Sequence, residues 1–162
     1  GCIPLRTGMS GSTYGYRSPA RTLSGRRRKV ERQLAHLSFV QNIITRLASN
    51  SLLLKGWSVT LIAALFALSA KDANHLFLLV GFVPNLAFWG LDAYYLRQEK
   101  LYRALYAEVA AGRVSSELLS LDTAAVSGEV LSLFQAARTA TLLFFHGMIS
   151  LVVAIAVGVV LF

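Results

Sequence analysis

Up to Gly25 the chain, GCIPLRTGMSGSTYGYRSPARTLSG, shows no apolar period, and its Gly, Ser and Pro content predicts a disordered tail over residues 1–25. From Arg26 the pattern changes. Leu34, Leu37, Val40, Ile44 and Leu47 recur at helical spacing, with Arg32, Gln33, Gln41, Asn42 and Arg46 mostly on other faces, which predicts an amphipathic helix over 26–50. Three long apolar runs come next: Leu52–Ala70, His75–Leu91 and Thr139–Phe162. A helix needs ~20 residues to cross a ~30 Å hydrocarbon core. The third run meets that outright, and the first two meet it if their charged ends reach the interface. The turn Lys71–Asn74 is short enough to make the first two a helical hairpin over 51–92, and 139–162 a third transmembrane helix.

Between the spans, residues 93–138 read as a helical hairpin outside the bilayer. Tyr94, Leu101, Leu105 and Val109 continue one stripe; Gly112 suits a C-cap, and Ser115 or Ser116 an N-cap. Leu118, Leu121, Val126, Leu131 and Phe134 form a weaker second face, with Gly128 as a kink point. No strand pattern and no internal repeat is visible. The fold class expected is all-α: an integral membrane protein with three transmembrane helices and a cytoplasmic helical bundle formed by their extensions.

Lys55, inside SLLLKGWSVT, breaks the first apolar run. Folding that run back on the second through the Lys71–Asn74 turn brings Lys55 level with Asp92, and Trp57 level with Trp89. Tryptophan favours the membrane interface, and a lysine there can send its ammonium to the headgroups. Lys55, Trp57, Trp89 and Asp92 therefore read as interface anchors, with Asp92 the partner of Lys55. A second reading makes Lys55 an ion or phosphate contact. Asn85 follows Pro84 and can bond the carbonyl that the proline frees, Thr60 or a neighbouring subunit. His146, Ser150, Ala154 and Gly158 recur every fourth residue; with Asn85 they form either a helix-packing face or the lining of a narrow pore.

Composition sharpens the picture in two respects. Charged residues are only 15% of the chain and the mean hydropathy is +0.55, outside the usual range of a soluble domain. The net charge of +8 resides in the N-terminal part: nine basic residues and one acid precede Ser51, whereas the remainder is balanced. Basic flanks at the N-terminus and over Arg97–Arg138 orient both toward the cytoplasm, which puts the N-terminus inside. The run Arg26, Arg27, Arg28 and Lys29 has three readings: an orienting charge block, a headgroup contact, or a phosphate contact to a nucleotide or nucleic acid. No signal-peptide core is visible in the first ~30 residues. Cys2 stands alone, no His, Cys or carboxylate set has ligand spacing, and no nucleophile or HExxH motif occurs, so no metal, cofactor or enzymatic role is expected.

At KGWSVTLIAALFALSAKDAN and FWGLDAYYLRQEKLYRALY the chain resembles a group of small bacterial membrane proteins of unassigned role, and its layout is similar to SLATT-type membrane effectors. That resemblance implies a homo-oligomer in the inner membrane that opens a pore on a cytoplasmic cue, as in anti-phage defence. The other reading is a non-conducting scaffold that recruits a soluble protein. Partners expected are membrane lipid, further copies of the chain, and a nucleotide, nucleic acid or soluble protein on the cytoplasmic side.

Overall fold

The computed structural model describes residues 19–72 and 76–161. Most of the expected tail, with Cys2, lies outside the described residues, as do His75 and the Ala73–Asn74 part of the hairpin turn. Among the described residues five α-helices run in order: α1 Pro19–Asp72, α2 Leu76–Val80, α3 Phe82–Ala110, α4 Leu133–Ala137 and α5 Ala140–Leu161, with a 3-10 turn at Ala124–Glu129 before α4. No strand occurs among them. Three stretches are long and apolar enough to cross a membrane, Leu23–Lys71, Leu76–Ala110 and Ala140–Val159.

The amphipathic helix and the first apolar run are one helix. α1 has 54 residues, about 80 Å at 1.5 Å per residue. It begins at Pro19, inside the stretch expected to be tail, where a proline suits a first helical turn. Its inward face passes without a break from Gln33, His36, Val40, Ile44 and Leu47 to Ser51, Leu54, Ser58 and Ile62. Steps of three and four residues keep that face turned to α3 along the whole length, as in left-handed helix pairs. The opposite face changes character near Ser51. Arg26 to Arg46 point charge outward on one side of it; Leu52, Leu53, Trp57 and Val59 are exposed on the other.

α3 packs antiparallel to α1. At their charged ends Val40, Ile44, Leu101, Leu105, Val109 and Val126 form one core, flanked by Leu37, Tyr102 and Tyr106. Ala93, Ala136 and Leu142 form a second, where α3, α4 and α5 meet. The break between α2 and α3 falls at Gly81, whose amide bonds Leu78 O three residues back. Pro84 thereby sits in the first turn of α3, where its missing N–H is not needed.

The expected second arm of a helical hairpin over 93–138 does not form. After Ala110 the chain closes in a Schellman motif: Gly112 takes φ +72°, its amide bonds Val109 O, and Arg113 N bonds Glu108 O. The path from there to α4 is mostly irregular because short polar side chains take the backbone for themselves. Ser115 Oγ accepts from Glu117 N, Ser120 Oγ from Asp122 N, and Asp122 Oδ1 from Ala124 N. Such local bonds compete with a helical ladder. Order returns at α4 through a capping box, with Ser132 Oγ accepting from Gln135 N and Gln135 Oε1 from Ser132 N.

Two polar residues of α1 hold this irregular segment. Gln33 Nε2 donates to Val109 O at 2.9 Å, capping α3. His36, fully buried, donates from Nε2 to Ser120 O at 2.7 Å, which leaves Nδ1 facing Ser116 Oγ at 3.2 Å. Leu105 lies at the centre of the core beside them. Leu105→Ala should cost about 2–5 kcal/mol, whereas exposed Leu34→Ala should cost under about 0.5 kcal/mol, as read from denaturant unfolding of the detergent-solubilised protein.

Candidate functional site: a charged network inside the apolar helices

Asp92 is completely buried, on a face of α3 turned to both α1 and α5. Its two oxygens take hydrogen bonds from both neighbours. Ser51 Oγ donates to Oδ1 at 2.5 Å, and Lys55 Nζ lies 2.5 Å from Oδ2. Lys55 also donates to Ser51 Oγ at 2.9 Å, closing a triangle. From α5, His146 Nε2 approaches Oδ2 at 3.3 Å. One carboxylate thus ties together three helices. Bringing a carboxylate and an ammonium out of water is costly, and added hydrogen bonds are what offset that cost.

The network extends along α5. Asn85 Nδ2 donates to His146 O at 3.1 Å and to Ser150 Oγ at 2.8 Å. Those two bonds fix the amide, so Asn85 Oδ1 faces His146 Nδ1 at 3.1 Å. Both ring nitrogens of His146 therefore face oxygen. A neutral imidazole carries one N–H and can satisfy only one of them. The ring bridges Asn85 and Asp92, and with Ser51 and Lys55 it joins the polar residues of three helices into one buried network.

Aromatic rings wall it in. Trp89 stacks on His146 with centroids 5.9 Å apart and planes 9° from parallel, and Phe145 meets the same ring edge-on. Lys55 Nζ stands 6.0 Å from the Phe145 centroid and keeps 18% of its side chain exposed, so the network reaches solvent or headgroups at that end. Asn85 is seven residues from Asp92, about 10 Å along α3. Level with Asn85 and beyond it the buried positions Ile62, Val153 and Leu78 are apolar, with Ser69 the buried polar exception. Ser58 Oγ, one turn from Lys55 on α1, is buried without a hydrogen-bond partner.

The residues singled out from sequence fall into three groups. Lys55 and Asp92 meet as the hairpin register implies. The two tryptophans do not share one role: Trp57 is exposed, whereas Trp89 turns inward and donates from Nε1 to Ala137 O at 2.9 Å. Asn85 bonds neither Thr60, which donates to Gly56 O, nor a freed carbonyl on its own helix; its partners are on α5. The stripe on α5 divides. His146 is buried and Ser150 half-buried, but Ala154 is exposed and Gly158 only partly covered. Four residues advance a helix by more than one turn, so a strict four-residue stripe drifts off the packed face, which instead follows Leu142, His146, Ile149 and Val153.

The basic run divides in the same way. Arg28 and Lys29 line a cleft at the far end of α1, together with Arg32, whereas Arg26 and Arg27 do not. Arg113, on its other wall, is already paired, with Nε and Nη2 each 2.6 Å from a Glu108 oxygen. That hydrogen-bonded pairing holds the Glu108 carboxyl below its ordinary value and raises the Arg113 guanidinium above its own. No group of three or more metal-ligating side chains occurs among the described residues.

Comparison of the chain with protein-family models, curated proteins and solved structures finds no match. The site accordingly rests on its geometry. Asp92→Ala should cost about 3–5 kcal/mol of stability, since it strands Lys55. Lys55→Met with Asp92→Leu should cost less than either single change, measured by unfolding in detergent.

Proposed function

We propose that this chain is a homo-oligomeric, multi-pass protein of the bacterial inner membrane, N-terminus inside, that conducts or perturbs the membrane on a cytoplasmic cue. The observation that carries this reading is the buried Lys55–Asp92–His146–Asn85 network. Ionisable groups among spanning helices are rare, and by default they point to a functional role such as an ion or proton path. The outward apolar faces of α1, α3 and α5 suit lipid, and the inward polar track suits a permeant. With all of its buried polar side chains but Ser58 hydrogen-bonded within one chain, and with Ile62, Leu78 and Val153 buried among the helices, we read the conformation as the shut one.

Opening requires the helices to separate along these apolar positions, with oligomeric neighbours providing the remaining wall. The layout similar to SLATT-type effectors agrees with this role in defence. The track lies on the side of Lys55, which the basic flanks turn toward the cytoplasm. A cue acting on the far end of α1 reaches the track through one unbroken helix, and it shifts the equilibrium only if it binds the open form more tightly than the closed.

A scaffold is the second reading, favoured by exposed apolar side chains on the segment joining α3 to α5. Leu118 is 90% exposed and Phe134 68%, the kind of anchors a soluble partner would cover. An ion-flux assay in proteoliposomes separates the two. Wild-type protein should be silent or weakly conducting, and Val153→Ser with Ile62→Ser should leak continuously because these apolar positions are wetted. Absence of flux from both, with one soluble protein recovered stoichiometrically on Leu118 and Phe134, would replace the channel by the scaffold.

A further inference from the structure

The extreme end of the α1–α3 pair carries a cleft of about 720 Å³, a volume within the usual range for small-molecule sites. One wall is the first charged turns of α1, with Arg28, Lys29 and Arg32; the other is the Gly112–Glu117 segment just beyond the Schellman turn. Arg28 and Arg32 are four residues apart and share a helix face. Arg28, Lys29 and Arg32 form no ion pair with any described residue, whereas Arg113 across the cleft is neutralised by Glu108. The site therefore presents three uncommitted cations against one acid, Glu117. Residues 1–18 contain Arg6 and Arg17 but no Asp or Glu, so that segment has no negative side chain with which to fill it.

We propose that this cleft binds a small soluble anion carrying two or more phosphate groups, and that it is the receptor site for the cytoplasmic cue; the binding stands on the cleft alone, whereas the receptor role rests on the channel reading. Guanidinium groups recognise phosphate by paired, charge-assisted hydrogen bonds, and two of them one helical turn apart span adjacent phosphates. Among the described residues lining the cleft there is no aromatic ring, so they offer no stacking platform for a base and read phosphate alone. Position separates a soluble ligand from a lipid headgroup. Arg28 precedes Ser51 by 23 residues of continuous helix, about 35 Å, which puts the cleft beyond headgroup reach when α1 stands upright.

Binding there has a route into the fold. Gln33, in the cleft wall, caps α3, and His36, one turn on, pins Ser116 and Ser120, just past the same turn. A ligand drawing the two walls together therefore acts on α1 and α3 jointly, the pair that carries Lys55 and Asp92 farther along.

The test is calorimetric titration of full-length protein in zwitterionic nanodiscs with inorganic tripolyphosphate at 150 mM NaCl. The expected result is one site per chain, with Arg28→Gln and Arg32→Gln together weakening it by roughly tenfold or more. A nucleoside triphosphate should bind within about threefold of tripolyphosphate, since the base is not read. Both arginines are exposed, so the variant should keep its helical content by circular dichroism. Absence of binding, or binding unaffected by the double substitution, would overturn the proposal. Nanodiscs containing anionic phosphatidylglycerol should leave the affinity within about twofold; competition by that lipid would assign the cleft to headgroups and overturn the soluble ligand. Tripolyphosphate bound without any change in liposome flux would retain the site and remove the channel reading, whereas flux without binding would do the reverse.

Discussion

The hydrogen bonding of one carboxylate, Asp92, constrains everything around it. It accepts from Ser51 and Lys55 on α1 and from His146 on α5, and its position on α3 makes it the point that three helices share. Apolar packing between helices in lipid has little directional preference, because lipid tails are as apolar as the side chains they replace. A buried carboxylate is different: every wrong register leaves it, or the lysine, without a partner. The network thus fixes the rotation and height of each helix where leucine and valine would tolerate several. It does so at a cost in desolvation, which the extra bonds from Ser51 and His146 offset.

The second constraint is length. α1 is continuous from Pro19 to Asp72, so the basic cleft at one end and the charged network farther along belong to a single unbroken helix. Along the shared interface with α3 the contacts change in kind, from the Val40–Leu105 core to the Ser51–Asp92 bonds, but not in register. A shift of α1 against α3 at the cleft is therefore felt at Asp92. This is a physical reason to read the two sites as coupled, with Gln33 and His36 as the clamps that transmit displacement of the Gly112–Ser120 segment.

Much of this architecture is legible in the sequence. Three apolar runs and the level of Lys55 with Asp92 emerge from hydropathy and the short turn at Lys71–Asn74. The polar half of the buried face does not. Gln33, His36, Ser51 and Ser58 occupy inward positions of a helix whose apolar members are easily seen, and each of them is ordinary when taken alone. Placing polar residues on the apolar stripe, and not only apolar ones, is the signal that finds them. The inner partners of Asp92 and Asn85 are hidden for another reason: the bonds to His146 span 54 and 61 positions, and only the docking of α5 decides them. The irregular path over 111–132 imitates a helix in sequence because its leucines are spaced for one, while its serines and Asp122 hold the backbone locally in other conformations.

The most direct test of the central claim is a distance between α1 and α5 in a bilayer, from spin labels at the exposed positions Trp57 and Phe144. If Asp92 is the tie among the three helices, the intact network should give one narrow distribution, and Asp92→Asn should broaden it markedly. A broad distribution with the network intact, or an equally narrow one after Asp92→Asn, would contradict the account.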